Sequence, residues 1–362
     1  MRRRRAAVLA AAATITATLL ATGPASLAYP AVAAARSAGA TGQYAPLDRP
    51  GPALDVPLGN LRASLQCSGA LAHSPLEPVL LSPATGVTPE QNYSWNYENA
   101  FTTQGRPWCA VTMPFHTLGN IETAGEYLVH AIRVMYRRAG ERIAVLGHSQ
   151  GGMSMRWALR FWPDTRHMVD DVIGMAGSNH GTTVPAPCEP GVTECPPATW
   201  QQLAGSRFVA ALNSGAETFR GISYTEIFTH TDEVVEPNLT DASSSSALHT
   251  GAGLISNVAT QDICPLDVYE HLGVGTVDPV SYALVMDALD HPGPADPSRV
   301  DTSVCLTAYQ PGVDPTSAQT YLQTLAAVPG LLSVVTPDVN TVGAPEVGQE
   351  PRLRCYVYAR GC

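Results

Sequence analysis

IAVLGHSQG occupies residues 143–151, and its first four residues form the short apolar run that is typical of a buried parallel strand. Residues 150–162 then carry apolar side chains at helical spacing until Pro163 stops the pattern. A Ser in a sharp turn from strand to helix is flanked by glycines, because a Cβ there would strike the neighbouring backbone. The pattern predicts a nucleophile elbow with Ser149 at its tip, and a solvated turn Ser is the alternative.

The segments on both sides of this elbow alternate between apolar strand-like runs and helical patterns. The predicted strands are Pro78–Ser82, Trp108–Thr112, Val172–Ala176 and Glu226–Thr229, and the predicted helices are Glu122–Ala139 and a segment near Thr199–Leu212. Such alternation is typical of an α/β protein with one mostly parallel central sheet covered by helices on both faces. We expect a single catalytic domain over residues 58–362, preceded by an extended arm over residues 34–57.

Residues 1–33 have the pattern of a cleaved export signal. Arg2–Arg5 form a positive region, and an uncharged, Ala-rich stretch interrupted by prolines follows. Small-residue cleavage motifs end at Ala28 and Ala33, and the Arg run leaves a twin-arginine route open. A membrane anchor is the alternative, but the stretch is less apolar than a spanning helix requires. We therefore expect a secreted protein.

The composition argues against several classes of protein. Charged residues make up 14% of the 362 residues, against about 25% in an average soluble protein, which disfavours disorder, a coiled coil or a nucleic-acid-binding tail. The formal net charge is −10, and removal of the signal, which contains Arg but no acid, makes it more negative. Charge does not draw such a protein to phosphate backbones, so we expect no nucleic-acid partner.

The eight Cys residues fit an exported protein, because thiols oxidise outside the cell and an even number can pair completely. The sequence alone cannot choose among all pairings, but the spacing favours sequential bridges. These would join Cys67 to Cys109, Cys188 to Cys195, Cys264 to Cys305, and Cys355 to Cys362. A zinc site is the alternative, and the usual Cys-x-x-Cys or His-x-x-x-His ligand spacing is missing, so we expect no metal.

A Ser nucleophile needs a base to take its proton and an acid to orient that base. After a nucleophile elbow, the acid comes next along the chain and the His follows it. Asp232 comes just after the predicted strand Glu226–Thr229 and is the predicted acid. Glu233 is adjacent but would face away from the strand end, and no strand leads into Asp262 or Asp267, so these three are predicted to be solvated carboxylates.

His271 is the predicted base. It lies in a loop, Asp267–Gly275, and a disulfide at the upstream Cys264 would hold that loop against the sheet. The other candidates, each explained more simply as a surface or packing residue, are His230, His249 and His291. His180 ends the strand after the nucleophile, and we expect it to line the site.

The third requirement is an oxyanion hole, which is a set of donors aimed at the charge that develops in the tetrahedral intermediate. One donor is expected to be the backbone N–H of Gln150, directly after the nucleophile. The other is expected from the loop SPATG at residues 82–86, where Thr85 offers both an N–H and a hydroxyl. A plain turn is the alternative for this loop.

With these motifs in place, the chain resembles the lipases related to Candida antarctica lipase B, over about Pro78 to Tyr358. The motifs that carry the resemblance are Leu80–Gly86 (LLSPATG), Met113–Phe115 (MPF), Ser149–Gly152 (SQGG), Trp200–Gln202 (WQQ), Thr231–Val235 (TDEVV) and Tyr358–Arg360 (YAR). The resemblance implies an α/β-hydrolase fold, a triad of Ser149, Asp232 and His271, and an oxyanion hole of Thr85 and Gln150. It also implies that no metal or other cofactor is needed.

The chain departs from that family at the substrate pocket. His148 stands where the relative has a Trp before its nucleophile, and Ser178 stands where the relative has an acidic pocket residue. We expect both to contact substrate, together with Val234 as a pocket wall. The segment Cys188–Cys195 lies where the relative has a short lid helix, and we expect it to cap the site.

The triad predicts a serine hydrolase that acts through an acyl-enzyme. The resemblance implies carboxylic esters, chiefly of fatty acids, as its substrates, which is most simply a triacylglycerol lipase working at a lipid–water interface. An esterase or a polyester depolymerase that acts on non-lipid esters is the main alternative. A peptidase and a non-catalytic binding protein on the same fold remain as further alternatives, although no triad member is missing. We expect a monomer without a dedicated protein partner.

Overall fold

A computed structural model describes residues 43–69, 71–186, 188–316 and 343–362 of the chain. The predicted signal at residues 1–33, its cleavage sites and the start of the predicted arm lie outside the described residues. The described part of the arm contains no helix, and Ala45 and Arg49 bond to the backbone of Val357 and Tyr358 near the C-terminus. No helix among the described residues has the length and apolar character needed to cross a bilayer.

Seven strands of the described chain form one sheet, in the order β1-β3-β2-β4-β5-β6-β7. All neighbouring pairs are parallel except the edge strand β1 with β3. The strands are β1 Leu65–Cys67, β2 Val79–Ser82, β3 Trp108–Val111, β4 Ile143–His148, β5 Val169–Met175, β6 Ser223–Phe228 and β7 Leu254–Ala259. The predicted mostly parallel sheet is confirmed, and β1 and β7 are additions that the sequence patterns did not predict.

Both faces of the sheet are buried because alternate residues of each strand enter two different apolar clusters. Leu80 and Val145 pack in the cluster that contains the helices over residues 121–139 and 150–161. Their strand neighbours Leu81 and Leu146 pack in the cluster on the other face. This two-sided burial explains why the strands are continuous apolar runs rather than alternating ones.

The helices cover these two faces and connect the parallel strands. They are α1 Leu58–Ala63, α2 Pro89–Tyr93, α3 Tyr97–Gln104, α4 Ile121–Ala139, α5 Gln150–Phe161, α6 Pro197–Gln201, α7 Arg207–Leu212, α8 Thr260–Ile263, α9 His271–Val274 and α10 Pro279–Asp290. Helix α4 is capped at its start by Asn120, whose side chain accepts from the N–H of Glu122 at 2.8 Å, and at its end by Gly140, which has a left-handed φ of 77°.

The single helix predicted near Thr199–Leu212 is wrong, because the structure has two short helices there. Helix α6 ends at Gln201, and Gly205 adopts a left-handed φ of 84°. The Ser206 hydroxyl then accepts from the N–H of Val209 at 3.1 Å and caps the start of α7. A glycine in the left-handed region followed by an N-cap Ser is a local signal for such a break.

Four disulfides join the same cysteine pairs that the spacing favours, and no free cysteine is left among the described residues. The Cys67–Cys109 bridge ties the edge strand β1 to β3, where the two residues are register partners. The Cys264–Cys305 bridge lies at the upstream end of the segment that contains His271. Because every thiol is consumed in a disulfide, the cysteines provide no thiolate ligands for zinc.

Candidate active site

The turn between β4 and α5 has the backbone of a nucleophile elbow. Ser149 adopts φ 56° and ψ −124°, a strained conformation for a residue with a side chain. A Cβ at Gly147 would come within 2.5 Å of the Gly151 carbonyl carbon, and a Cβ at Gly151 within 2.1 Å of the Ser82 oxygen. The N–H of Ser149 donates to the Met175 carbonyl at 2.8 Å. The two glycines are therefore required by close backbone contacts.

Asp232 lies just past the end of β6 and is buried. One carboxylate oxygen accepts from the N–H groups of Val234 and Val235 at 3.0 and 2.8 Å. The other accepts from Asn238 Nδ2 at 3.1 Å and from His271 Nδ1 at 3.0 Å. Four donors surround this carboxylate, and such charge-assisted bonds stabilise its negative charge inside the protein.

His271 is the first residue of the one-turn helix α9, whereas the sequence analysis predicted an irregular loop. Since a carboxylate oxygen can only accept, His271 Nδ1 carries the hydrogen that it donates to Asp232, and Nε2 is left to take a proton. Burial lowers the pKa of the His271 imidazole, but the charge and hydrogen bond of Asp232 outweigh that effect and raise the pKa above its usual value. Asp232 and His271 thus form a base oriented by an acid.

The structure also brings His271 next to the elbow. The ring centroids of His148 and His271 lie 5.3 Å apart, and His148 Nε2 is 3.0 Å from the His271 carbonyl oxygen. Among the described residues, no hydrogen bond joins the Ser149 hydroxyl to His271. Bonds between nucleophile and base are often long in ligand-free enzymes and tighten when substrate binds. Proton transfer between Ser149 and His271 stays a prediction.

Thr85 lies in a buried polar cluster beside the elbow. Its hydroxyl donates to Gln150 Oε1 at 2.8 Å and accepts from Gln202 Nε2 at 2.9 Å. Gln150 in turn donates through Nε2 to the Thr117 carbonyl at 3.0 Å. These contacts place the hydroxyl of Thr85 against the residue whose backbone N–H directly follows the nucleophile. A solvated plain turn does not describe this loop, because Thr85 is 8% exposed.

The residues expected to contact substrate differ in burial and in the hydrogen bonds that they make within the protein. His148 is buried and both ring nitrogens have hydrogen-bond partners, so it has no free polar atom to offer a substrate. Ser178 is also buried and donates to Gln202 Oε1 at 3.0 Å. Val234 is half-buried, and its carbonyl accepts from Thr182 at 2.7 Å. Substrate contact by Ser178 and Val234 stays a prediction.

The other candidates from the sequence have different partners. His180 Nε2 pairs with Glu217 at 2.7 Å, and Glu233 accepts from the backbone N–H of His271 at 3.3 Å. The remaining candidates pair or cap elsewhere: His249 with Asp241, His291 with Asp287, His230 with Gln261, Asp262 with Ala259, and Asp267 with Tyr269. Glu233 is therefore closer to the base than its predicted orientation suggested.

The sequence analysis missed three polar residues of the site. Asn238 holds Asp232, Gln202 holds Thr85, and Asn92 bonds to His148. Asn238 follows the TDEVV motif, and Gln202 belongs to the WQQ motif. Asn92 gives no such signal, because nothing local to its sequence distinguishes it from an ordinary helix residue.

Within the described ranges, the carboxylates that come close enough to share a cation lie away from this site. Glu77, Asp170 and Asp171 have oxygens within 4.8 Å of one another, near the start of β5. Arg142 pairs with Asp170 at 2.7 Å and already supplies a positive charge there. That catalysis needs no metal stays a prediction.

The chain is similar to lipase B of Pseudozyma antarctica, with 33% identity over 225 residues. The alignment covers 61% of this chain and 64% of that protein, just under two thirds of its length. The crystal structure of Aspergillus fumigatus lipase B superposes with a TM-score of 0.74 at 28% identity, and the match covers 84% of this chain and 73% of that one. No protein-family model matches the chain.

These findings confirm the resemblance that the motifs predict, and they confirm the α/β-hydrolase fold. The shared architecture is a mostly parallel sheet flanked by helices, here with four disulfides. Both relatives are lipases by name.

Proposed function

We propose that this homologue of lipase B hydrolyses carboxylic esters through an acyl-enzyme on Ser149, with His271 as base and Asp232 as the acid that orients it. The observation that carries the proposal is the hydrogen bond between His271 Nδ1 and Asp232 at 3.0 Å, with the His271 ring centroid 5.3 Å from that of His148, the residue directly before the strained Ser149 of the nucleophile elbow. An oriented imidazole next to a Ser is the arrangement that turns a weak hydroxyl into a nucleophile.

Acylation begins when His271 Nε2 takes the proton of Ser149 and the Ser149 oxygen attacks the ester carbonyl. The negative charge that develops on the carbonyl oxygen is stabilised by the backbone N–H of Gln150 and by Thr85. Because the Thr85 hydroxyl donates to Gln150 Oε1 in the structure, it must rotate towards the oxyanion as the charge forms. The imidazolium then protonates the departing alcohol, and Asp232 stabilises its transient positive charge.

Deacylation repeats these steps with water as the nucleophile. His271 takes a proton from water, the hydroxide oxygen bonds to the acyl carbon, and the same donors stabilise the second oxyanion. When the carbon–oxygen bond to Ser149 breaks, His271 returns the proton to the Ser oxygen. The products are the carboxylic acid and the free enzyme.

For the substrate we propose a fatty-acid ester, most simply a triacylglycerol at a lipid–water interface. The support is the homology with lipase B. A chain-length series of p-nitrophenyl esters tests this assignment. Activity that rises with acyl length and on dispersed triacylglycerol supports a lipase, whereas activity confined to short soluble esters or to polyester supports the alternative.

We further propose that the protein is secreted and needs no protein partner. The support for secretion is that all eight cysteines are joined in disulfides, which persist in oxidising compartments. Fractionation of an expressing culture, with the mature N-terminus sequenced, tests both the export and the predicted cleavage at Ala28 or Ala33.

The test of the catalytic proposal is Ser149→Ala. Loss of the nucleophile should lower kcat by about a million-fold, as removal of a triad member does in serine hydrolases. Ser154→Ala is the matched control, because Ser154 is a buried Ser on the same helix whose hydroxyl has no hydrogen-bond partner within the described part of the chain. The control should retain kcat on a p-nitrophenyl ester. Rapid hydrolysis by Ser149→Ala would refute the proposal.

A further inference from the structure

We infer that His148 and Asn92 form a positioning pair. The pair links the loop at residues 82–86 that contains Thr85, here called the oxyanion loop, to helix α9, which contains the catalytic base His271. The inference rests on the proposed function and assigns to His148 a role different from substrate contact. His148 directly precedes the nucleophile, and its two ring nitrogens face partners from two other segments of the chain. Neither partner belongs to the triad's side chains.

The partner on one side fixes the tautomer of His148. Nε2 lies 3.0 Å from the backbone carbonyl oxygen of His271, which can only accept, so Nε2 carries a hydrogen and donates it. A neutral imidazole then has an unprotonated Nδ1, which is available as an acceptor. The hydrogen bond holds the backbone of the base itself and not its catalytic ring.

The partner on the other side is oriented by the oxyanion loop. Asn92 Oδ1 accepts from the backbone N–H of Ala84 at 2.9 Å. Both amide atoms of Asn92 lie near His148 Nδ1, Nδ2 at 3.3 Å and Oδ1 at 3.4 Å, and since the His148 hydrogen is on Nε2, Nδ1 accepts from Asn92 Nδ2. Ala84 immediately precedes Thr85. The chain of bonds therefore runs from the backbone beside the oxyanion donor, through Asn92 and His148, to the backbone of His271.

The surroundings of His148 keep this link neutral and rigid. A Cβ at Gly275 would come within 2.2 Å of the imidazole, so the ring packs directly on the backbone after α9. Burial, with a smaller contribution from the nearby His271, lowers the pKa of His148 to about 3, although Asp232 acts in the opposite direction. A neutral imidazole donates from one edge and accepts at the other, whereas the imidazolium would have two donors facing the donor of Asn92.

The inference is tested first in the wild-type enzyme, by ¹⁵N NMR of the histidine side chains. We expect the proton of His148 on Nε2, and we expect no titration of this ring between pH 5 and pH 8. A proton on Nδ1, or a ring that titrates in that range, would overturn the inference. Because this measurement requires no turnover, it stands apart from the test of Ser149.

Side-chain variants then separate positioning from simple packing. Substitution His148→Leu removes both hydrogen bonds, and we expect kcat to fall about a hundred-fold with little change in KM, because the binding pocket stays while the reacting groups lose their alignment. His148→Gln places an amide donor near the position of Nε2 and should recover at least about a tenfold part of that loss. Equal kcat values in these two variants, or wild-type kcat in His148→Leu, would contradict the inference.

A substitution of the partner, Asn92, keeps the inference testable if His148→Leu does not fold. Asn92→Asp removes the donor to Nδ1 and puts a carboxylate there, which should move the proton of His148 to Nδ1 in the NMR spectrum and lower kcat. A His148 proton that stays on Nε2 in Asn92→Asp would also contradict the inference. If instead Ser149→Ala retains activity, the proposed function fails while the tautomer of His148 remains as measured.

Discussion

Two buried carboxyl groups on neighbouring parts of the chain show how differently this fold treats negative charge. Asp232, just beyond β6, receives four hydrogen bonds. Glu226, within β6, is at least as buried, but its Oε2 has no hydrogen-bond partner among the described residues. Burial raises the pKa of Glu226 to about 8, although the charge of Arg156 and a bond with Asn179 oppose the shift.

The difference teaches that burial alone does not make a carboxylate useful for catalysis. Where the proposed mechanism needs a lasting negative charge, backbone and side-chain donors converge on the carboxylate. At Glu226, where Arg156 and Asn179 only partly offset the effect of burial, the group retains its proton at neutral pH and contributes packing instead. The donors around Asp232 come from a tight turn that returns the chain through Val234, Val235 and Asn238, and Glu226 in mid-strand has no equivalent turn.

Substitution of the two carboxyls by their amides gives the largest contrast. Asp232→Asn should lower kcat by about ten-thousand-fold, because an amide no longer holds the His271 ring in the required tautomer. Glu226→Gln should leave kcat nearly unchanged, since a protonated carboxyl and an amide are close in shape and charge. The measurement is kcat for a soluble p-nitrophenyl ester, and a comparable loss in both variants would break the comparison.

The comparison of buried negative charges also applies to the oxyanion of the tetrahedral intermediate, which exists only briefly. Thr85→Val keeps the shape of the side chain but removes the hydroxyl, and we expect kcat to fall about a hundred-fold. Thr85→Ser retains the hydroxyl and is the control. Undiminished kcat in Thr85→Val would show that backbone N–H groups suffice and that the hydroxyl has only a structural role.

The pH dependence of activity follows from the partner of the base. Since Asp232 raises the pKa of His271, the acidic limb of kcat/KM should lie above the usual imidazole range near pH 6.5. The limb reports deprotonation of the base, so activity increases as the pH rises through it. In the residual activity of Asp232→Asn the limb should move to lower pH. A limb that does not move would identify a different titrating group.

The last effect concerns the stability of the fold rather than the rate of turnover. The unfolded chain releases the proton of Glu226 near pH 4.5, whereas the folded protein retains it to about pH 8. Its contribution to stability is therefore complete below pH 4.5 and is lost as the pH rises to 8. In Glu226→Gln, the free energy of unfolding from urea titrations should decline less over this range, by at most about 1.4 kcal/mol per pH unit. Parallel curves for the two proteins would contradict the assignment.

The sequence predicted the parts of the molecule that depend on local pattern. The elbow at Ser149 combines a strand, two glycines and a helix within one continuous segment, so its conformation could be predicted directly. The strand β7 was missed because Ser256 and Asn257 interrupt its apolar pattern.

The partners of the site residues could not be predicted, because they come from distant parts of the chain. Asn92 bonds to His148 across 56 positions, and Gln202 bonds to Thr85 across 117. No periodicity or motif indicates that two such side chains meet. The burial of His148 and its two partners could not be predicted for the same reason, since they depend on how three segments pack. Substrate contact by His148 stays a prediction.

The most direct test of the triad is covalent labelling with a serine-directed phosphonate, followed by peptide mapping and by the labelling rate in Asp232→Asn and Glu226→Gln. We predict a single adduct on Ser149, formed rapidly in wild type and in Glu226→Gln and far more slowly in Asp232→Asn. An adduct on another residue, or equal labelling rates in all three proteins, would contradict the account.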